Sequence, residues 1–345
     1  MSTLTAPPAT VGTGTGAVEI VRRFRRRHAS WLPVFAALVI FVAMLVGAQA
    51  YFGNFLTPRV LSALLLDNAY LLILAVGMTF VILTGGIDLS VGAVMAFTGM
   101  MGASLLSQGL PTATVVPLMV VLGGGMGLAV GVLVQFFDVQ PFIASLAAMF
   151  AARGLAFMVS LSSVKVEDPA ILWLQSTRIQ GAPGSFYLTP TGIIALLVVL
   201  TGILVLQFTR FGRTVYAIGG NEQSARLMGL PVVRTKLLVY VISGVCAGLA
   251  GVVFTAYTGA AYPLTGVGTE LDTIAAVVIG GTLLSGGSGF VLGSMIGVFV
   301  YGTIKTVISF LGAEQSWTRI IIGVILLVFV VMQRLIVART TAGRR

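Results

Sequence analysis

The sequence predicts an all-α protein that crosses a membrane about ten times, and three observations support that fold class. The chain is 57% hydrophobic and only 9% charged, whereas a soluble domain carries about 25% charged residues. Charge-free runs such as 89–137 and 273–304 exceed the roughly 20 residues that a spanning helix needs. The basic residues gather in clusters beside the apolar runs, as they do in polytopic membrane proteins.

The apolar runs divide into about ten expected spans, because several of them are long enough to hold two helices. An even number of spans places both chain ends on the same side of the membrane. The count falls to about eight or nine if a glycine-interrupted segment turns back inside the protein, where irregular backbone is tolerated. The expected spans are 31–52, 62–84, 88–107, 112–136, 140–160, 190–208, 237–257, 271–286, 289–311 and 316–335.

The two chain ends are expected to lie outside the membrane domain. Residues 1–29 predict a disordered, basic cytoplasmic tail, because their first part is rich in Thr, Pro, Gly and Ala and offers little to bury. The tripeptide at 48–50 resembles a signal-peptidase site, but the preceding n-region of about 30 residues is too long for a secretory signal. We therefore expect an uncleaved first span, a membrane domain over 30–336 and a basic cytoplasmic tail over 337–345.

The net charge of +10 is explained by topology and needs no nucleic acid partner. Fourteen of the twenty basic residues flank apolar runs, which is the distribution of cytoplasmic segments. Both chain ends and the 209–236 segment are therefore expected inside, and the polar and aromatic 161–189 segment outside. The clusters are Arg22, Arg23, Arg25, Arg26, Arg27; Arg210, Arg213, Arg226, Arg234, Lys236; and Arg334, Arg339, Arg344, Arg345.

The 75–92 segment is the most informative part of the sequence. An apolar run stops at a glycine pair, presents Asp88 and Ser90, and resumes as another apolar run. Glycine weakens a helix, and a carboxylate is costly in a membrane unless it faces protein or water. A fainter copy follows at 280–287, and two breaks in corresponding halves are typical of a transport path. The expected helix breaks are Gly85, Gly86, Gly280 and Gly281.

The inventory of reactive side chains argues against an enzyme. Cys246 is the only cysteine and His28 the only histidine, so Cys/His metal sites and Ser-His or Cys-His catalysis are excluded. No glycine-rich phosphate loop precedes any lysine, so the chain does not hydrolyse nucleotides itself. We expect no metal, cofactor or catalytic residue in this chain, and an energy supply from a second protein.

Six intramembrane polar residues are candidates for the path, and three of them have an alternative role. Asp88 would instead cap the third helix, and Lys305 would snorkel to the membrane surface. Arg153 lies deeper, and its two possible roles are an internal ion pair and a contribution to the path. The candidates are Asp67, Asn68, Asp88, Ser90, Arg153 and Lys305.

The cytoplasmic 209–236 segment predicts a short helix at 221–229. Asn221 is its N-cap, Glu222 suits the helix dipole, and Gly229 ends it. Exposed apolar residues on such a helix favour docking of a partner protein, although a helix lying on lipid headgroups is the alternative. The docking residues are Asn221, Glu222, Arg226, Leu227, Met228 and Gly229.

Three segments resemble a known family. They are AVGMTFVILTGGIDLSVG at 75–92, RFGRTVYAIGGN at 210–221 and VIGGTLLSGG at 278–287. They are similar to the permeases of ribose- and xylose-type ABC sugar importers, and the similarity extends from about residue 54 to 333. The resemblance implies a bacterial inner-membrane subunit that passes a monosaccharide and works with a cytoplasmic ATPase that binds ATP and Mg²⁺. It also implies a periplasmic or lipid-anchored sugar-binding protein and a second permease, and it identifies 221–229 as the helix that docks on the ATPase.

Within that family, three further segments are most similar to galactofuranose permeases. They are LDNAY at 66–70, AFTG at 96–99 and AYPLTGVGTELD at 261–272. The implied core is a heterodimer of two permeases, with a homodimer as the alternative. The competing functions are a branched-chain amino-acid ABC permease and an ion-coupled carrier that works alone.

Overall fold

The computed structural model describes residues 31–342 except positions 183 and 315. The expected N-terminal tail lies outside the described residues, as do the last three residues of the expected C-terminal tail. Within the described part the chain forms fourteen α-helices and four strands of two residues each. This is the predicted all-α class.

The first six helices precede the expected outer segment 161–189, and one of their connections is a sharp bend. Helices α2 and α3 meet at Asn68 with a 50° bend, within the span expected at 62–84. The chain begins α2 earlier than expected because Thr57 accepts a hydrogen bond from the Val60 amide and Pro58 occupies the first turn. The helices are α1 (Leu32–Phe52), α2 (Pro58–Asp67), α3 (Ala69–Leu83), α4 (Val91–Ser107), α5 (Thr112–Phe136) and α6 (Pro141–Val159).

The remaining eight helices include two that the sequence did not predict. One lies in the 161–189 segment, and the other precedes the expected short helix at 221–229. The span expected at 271–286 is helical only as far as Ile279. The helices are α7 (Pro169–Ser176), α8 (Pro190–Phe208), α9 (Arg210–Gly220), α10 (Glu222–Leu227), α11 (Val232–Thr258), α12 (Thr269–Ile279), α13 (Val291–Phe310) and α14 (Ser316–Ala342).

Six of the described helices are long and apolar enough to cross a membrane, and the bent α2–α3 pair is a seventh candidate. The six are α1, α5, α6, α8, α11 and α13. The other three expected spans fall on α4, α12 and α14, whose apolar stretches are shorter. The chain is thus a polytopic helical membrane protein, and the full count of about ten remains a prediction.

Helix α3 is the central helix of the fold. Nearly all of its side chains are buried, and it packs against α8, α11, α12 and α13. A helix that is apolar on every side is expected in such a position. Helix α11 packs closely on α5, and the glycines of α5 lie directly against its backbone. A Cβ at Gly123 or Gly127 would overlap backbone atoms of α11. The glycine spacing of α5 therefore permits close packing of the two helices.

The outer segment between α6 and α8 is ordered by local hydrogen bonds. Strand β1 (Val164–Lys165) pairs with β4 (Ala260–Ala261), and β2 (Ile179–Gln180) pairs with β3 (Tyr187–Leu188), both antiparallel. Asp168 caps α7 and accepts a 2.6 Å hydrogen bond from the Thr112 hydroxyl. That hydrogen bond, together with those from the α7 amides, lowers the pKa of Asp168. The segment is thus attached to both α5 and the end of α11.

Candidate functional site

The two glycine-rich segments that interrupt the helices are in direct contact. The first connects α3 to α4, and Gly85 adopts a φ of +81° there. The second connects α12 to α13, and Gly281 and Gly287 have φ values of +96° and +75°. The Gly287 amide donates a 2.9 Å hydrogen bond to the Leu83 carbonyl. The repeated sequence pattern therefore brings its two copies together in space.

Helix α9 contacts both glycine-rich segments. A Cβ at Gly219 would overlap the Leu83 carbonyl oxygen and the Gly287 amide nitrogen. The Tyr216 hydroxyl donates a 2.7 Å hydrogen bond to the carbonyl of Gly289. Only one residue separates α9 from α10, so α10 is joined directly to the helix that contacts both segments.

Asp88 is a buried carboxylate, 1% exposed, held by three neutral donors. Its Oδ1 accepts hydrogen bonds from the amide and hydroxyl of Ser90, and its Oδ2 accepts one of 2.7 Å from the Ser243 hydroxyl. Ser90, not Asp88, is the N-cap residue of α4, and no side chain makes the capping hydrogen bond. The Asp88 carboxylate thus accepts an amide hydrogen bond at the start of α4 and also links the glycine-rich segment to α11, so both its capping role and its path role remain predictions. Within the described part of the chain, no group of three His, Cys, Asp or Glu residues could hold a metal.

Asp67 and Lys305 belong to a second polar group at the end of the molecule that carries the 161–189 segment. Asp67 is the last residue of α2 and accepts a 3.1 Å hydrogen bond from the Tyr257 hydroxyl. Lys305 Nζ lies 5.8 Å from the centroid of the Tyr301 ring and interacts electrostatically with Asp67. Asn68 lies at the α2–α3 bend, where its side-chain Nδ2 donates a 2.8 Å hydrogen bond to the Leu64 carbonyl.

Arg153 is separate from both groups. Its Nη1 donates hydrogen bonds of 2.6 and 2.7 Å to the carbonyls of Pro263 and Thr265. It therefore fastens the α11–α12 connection to α6. Both hydrogen-bond partners of Arg153 are backbone carbonyl groups.

The expected short helix is present as α10 and presents an apolar tip. Asn221 Oδ1 caps it by accepting a 2.7 Å hydrogen bond from the Ser224 amide. Glu222 is paired with Arg226 at 2.7 Å and with Lys236 at 3.0 Å. Burial raises the pKa of Glu222, but the hydrogen bonds from Lys236 and Arg226 outweigh it, so the net pKa is lowered. The exposed side chains at the tip are Leu227, 84% exposed, and Met228, 67% exposed.

Sequence reasoning missed three members of the Asp67 group. Tyr257 and Asp272 lie at or near helix ends, and Tyr301 lies inside α13. The signal available for Asp272 was its place, with Glu270, directly before the charge-free run 273–304. The two tyrosines gave no signal, because an aromatic residue in an apolar helix has the composition of the core.

Comparison with known proteins identifies the family. Residues 60–330 match the family described as branched-chain amino acid transport system / permease component. The chain is 45% identical over 312 residues to the fructose import permease protein FruG of Bifidobacterium longum, covering 89% of this chain and 92% of FruG. It is 46% identical over 305 residues to the inner membrane ABC transporter permease protein YjfF of Escherichia coli, covering 88% and 92%.

A third relative extends the similarity to another sugar. The chain is 36% identical over 308 residues to the ribose import permease protein RbsC of Escherichia coli, covering 88% of this chain and 94% of RbsC. No solved structure matches the chain. The chain therefore belongs to this family of transport-system permease components, together with the sugar import permeases that it resembles over most of its length.

Proposed function

We propose that this chain is the membrane-spanning subunit of an ABC importer that carries a neutral monosaccharide across the bacterial inner membrane. The observation that carries the proposal is the exposed apolar tip of α10. The preceding helix, α9, contacts both glycine-rich segments. An apolar tip in a basic cytoplasmic segment suits docking on a partner protein. The fructose and ribose import permeases among the relatives support a sugar as the cargo.

The proposed complex contains further subunits. A cytoplasmic ATPase binds ATP and Mg²⁺ and docks on α10, and a periplasmic or lipid-anchored binding protein delivers the sugar. A second, similar permease completes the core as a heterodimer, with a homodimer as the alternative. This chain itself contributes no catalytic residue.

The proposed path runs between the polar group around Asp88 and the polar group around Asp67. It passes the two glycine-rich segments. Helix α12 supports this placement, because its 11 residues extend only about 16 Å against a hydrocarbon core of about 30 Å. With about ten crossings, both termini and 209–236 are cytoplasmic, and 161–189 is periplasmic. The proposed path residues are Asp67, Asn68, Asp88, Ser90, Arg153 and Lys305.

Galactofuranose is the proposed cargo, because the segments 66–70, 96–99 and 261–272 resemble those of galactofuranose permeases. Fructose is the second candidate, because the fructose import permease is 45% identical over most of both chains. The two sugars are to be tested in parallel.

The orientation predicts a simple labelling pattern. Cys246 is replaced by Ser, and single cysteines are placed at the exposed positions Gly181 and Gln223. In intact cells an impermeant thiol reagent is expected to label Gly181→Cys but not Gln223→Cys, while permeabilised cells label both. The opposite pattern in intact cells would reverse the topology and remove α10 from the ATPase side.

Transport is predicted to depend on ATP and on the partner proteins. Proteoliposomes that contain the full complex and ATP are expected to accumulate the sugar, whereas the lone permease with a proton or sodium gradient is not. Competition among galactofuranose, fructose, ribose and leucine identifies the cargo. Gradient-driven uptake by the lone chain would establish an ion-coupled carrier, and ATP-driven uptake of leucine without any sugar would establish an amino-acid permease.

A further inference from the structure

Two aspartate–tyrosine pairs lie at the end of the molecule that carries the 161–189 segment. The Tyr257 hydroxyl donates a 3.1 Å hydrogen bond to Asp67, and the Tyr301 hydroxyl donates a 2.8 Å hydrogen bond to Asp272. The four residues come from α11, α2, α13 and α12 respectively. Four helices thus contribute one polar side chain each to one region, which is the convergence expected of a binding site.

The region holds charges of both signs. Lys305 interacts electrostatically with both Asp67 and Asp272. Arg319 interacts with Asp272 as well. Two carboxylates and two cations therefore contribute to the electrostatics of this region, and neither sign of charge predominates. A ligand without net charge suits such a region.

The carboxylates have acceptor capacity beyond the tyrosines. An ionised carboxylate offers about four lone-pair sites, and each of these two receives one tyrosine hydroxyl. Both aspartates are only partly buried. A ligand that donates several hydroxyl hydrogens would occupy the remaining sites, and the tyrosine hydroxyls would accept in return.

A cavity adjoins the group on its outer side. It has a volume of about 160 Å³ and shares Tyr257 with the Asp67 pair. Tyr257 is 36% exposed, so the residue that lines the cavity is accessible from outside. The other lining residues are Leu66, Leu174, Gln175, Arg178 and Thr191.

From this geometry we infer that Asp67, Tyr257, Asp272 and Tyr301 form an outer sugar-binding site, in which a monosaccharide exchanges its hydrogen bonds with the binding protein for hydrogen bonds with the permease. The inference rests on the proposed function and gives it a location. The two carboxylates accept hydroxyl hydrogens of the sugar, and the tyrosines orient the carboxylates when the site is empty.

The test compares the Asp67→Asn, Asp272→Asn and Tyr301→Phe variants in the reconstituted complex with the unchanged chain. Each substitution keeps the side-chain shape and removes an acceptor or a donor. Import is expected to fall about tenfold, because a hydrogen bond to a charged acceptor is lost. The relative rates for galactofuranose, fructose and ribose are expected to change as well, since the three sugars place their hydroxyls differently.

Controls separate binding from structure. Asp138→Asn changes an exposed aspartate with a φ of +53°, which asparagine also adopts, and it is expected to import at the rate of the unchanged chain. A purely structural effect would lower all sugars in proportion together with the yield of assembled complex. Such proportional loss, or import by the Asp67→Asn and Asp272→Asn variants at the unchanged rate, would overturn the site. Failure of the unchanged complex to import any sugar would instead contradict the proposed function.

Discussion

Replacing Gly219 with alanine is expected to reduce transport to less than a tenth of the normal rate. The new methyl group would enter the space occupied by the Leu83 carbonyl and the Gly287 amide, which themselves form the hydrogen bond between the two glycine-rich segments. Overpacking a close contact costs about 1–3 kcal/mol, occasionally more. The cost falls at the upper end here because backbone atoms, unlike side chains, have no alternative rotamer.

Gly220→Ala is the matched control, because a Cβ there would meet open space. Both variants are purified, their thermal unfolding midpoints in detergent are compared, and their import is measured in proteoliposomes. Gly219→Ala is expected to unfold at a lower temperature and to import at less than a tenth of the normal rate, while Gly220→Ala matches the unchanged chain. Equal behaviour of the two variants would show that α9 does not constrain the helix breaks.

Replacing Leu227 with glutamate is expected to uncouple ATP hydrolysis from transport while the permease stays folded. Leu227 is 84% exposed and makes no contribution to the core of the permease. Once it is buried in a partner, an unpaired carboxylate there costs on the order of 3 kcal/mol or more, a loss of over a hundredfold in affinity. The measurements are co-purification of the ATPase and sugar-stimulated ATP hydrolysis.

Two variants serve as controls for the charge and for the shape. Leu227→Met keeps an apolar side chain of similar volume and is expected to retain both docking and stimulation. Gln223→Glu adds the same charge to α10 at another exposed position and is expected to have the smaller effect. Normal stimulated hydrolysis by Leu227→Glu would place α10 on the membrane surface instead of on the ATPase.

The predictable parts of this fold are those that depend on local composition. The apolar helices, the close-packing glycines of α5 and the Asn221 cap of α10 follow from spacing and from single-residue chemistry. Helix α9 was missed because its glycines indicate a loop. It forms because the Thr209 side chain caps it with a 3.1 Å hydrogen bond from Gly212, and Gly219 is needed for close approach.

The contacts between distant segments could not be predicted. The glycine pattern of 85–92 and 280–287 was visible in the sequence, but the hydrogen bond from Gly287 to Leu83 depends on the lengths and tilts of the helices between them. The same holds for Asp272 and Tyr301, which lie 29 positions apart. Neither the Asp67 group nor the link from Asp88 to Ser243 has a sequence period that would indicate it.

The hydrogen bond between Leu83 and Gly287 joins two main-chain groups, so no side chain takes part in it. A contact of this kind does not depend on which side chains line the proposed path. Under the proposed function, mutation of path residues is therefore expected to change sugar preference while the contact between the two glycine-rich segments is kept. A contact between main-chain groups is therefore compatible with permeases that differ in cargo, such as the fructose and ribose import permeases to which this chain is similar.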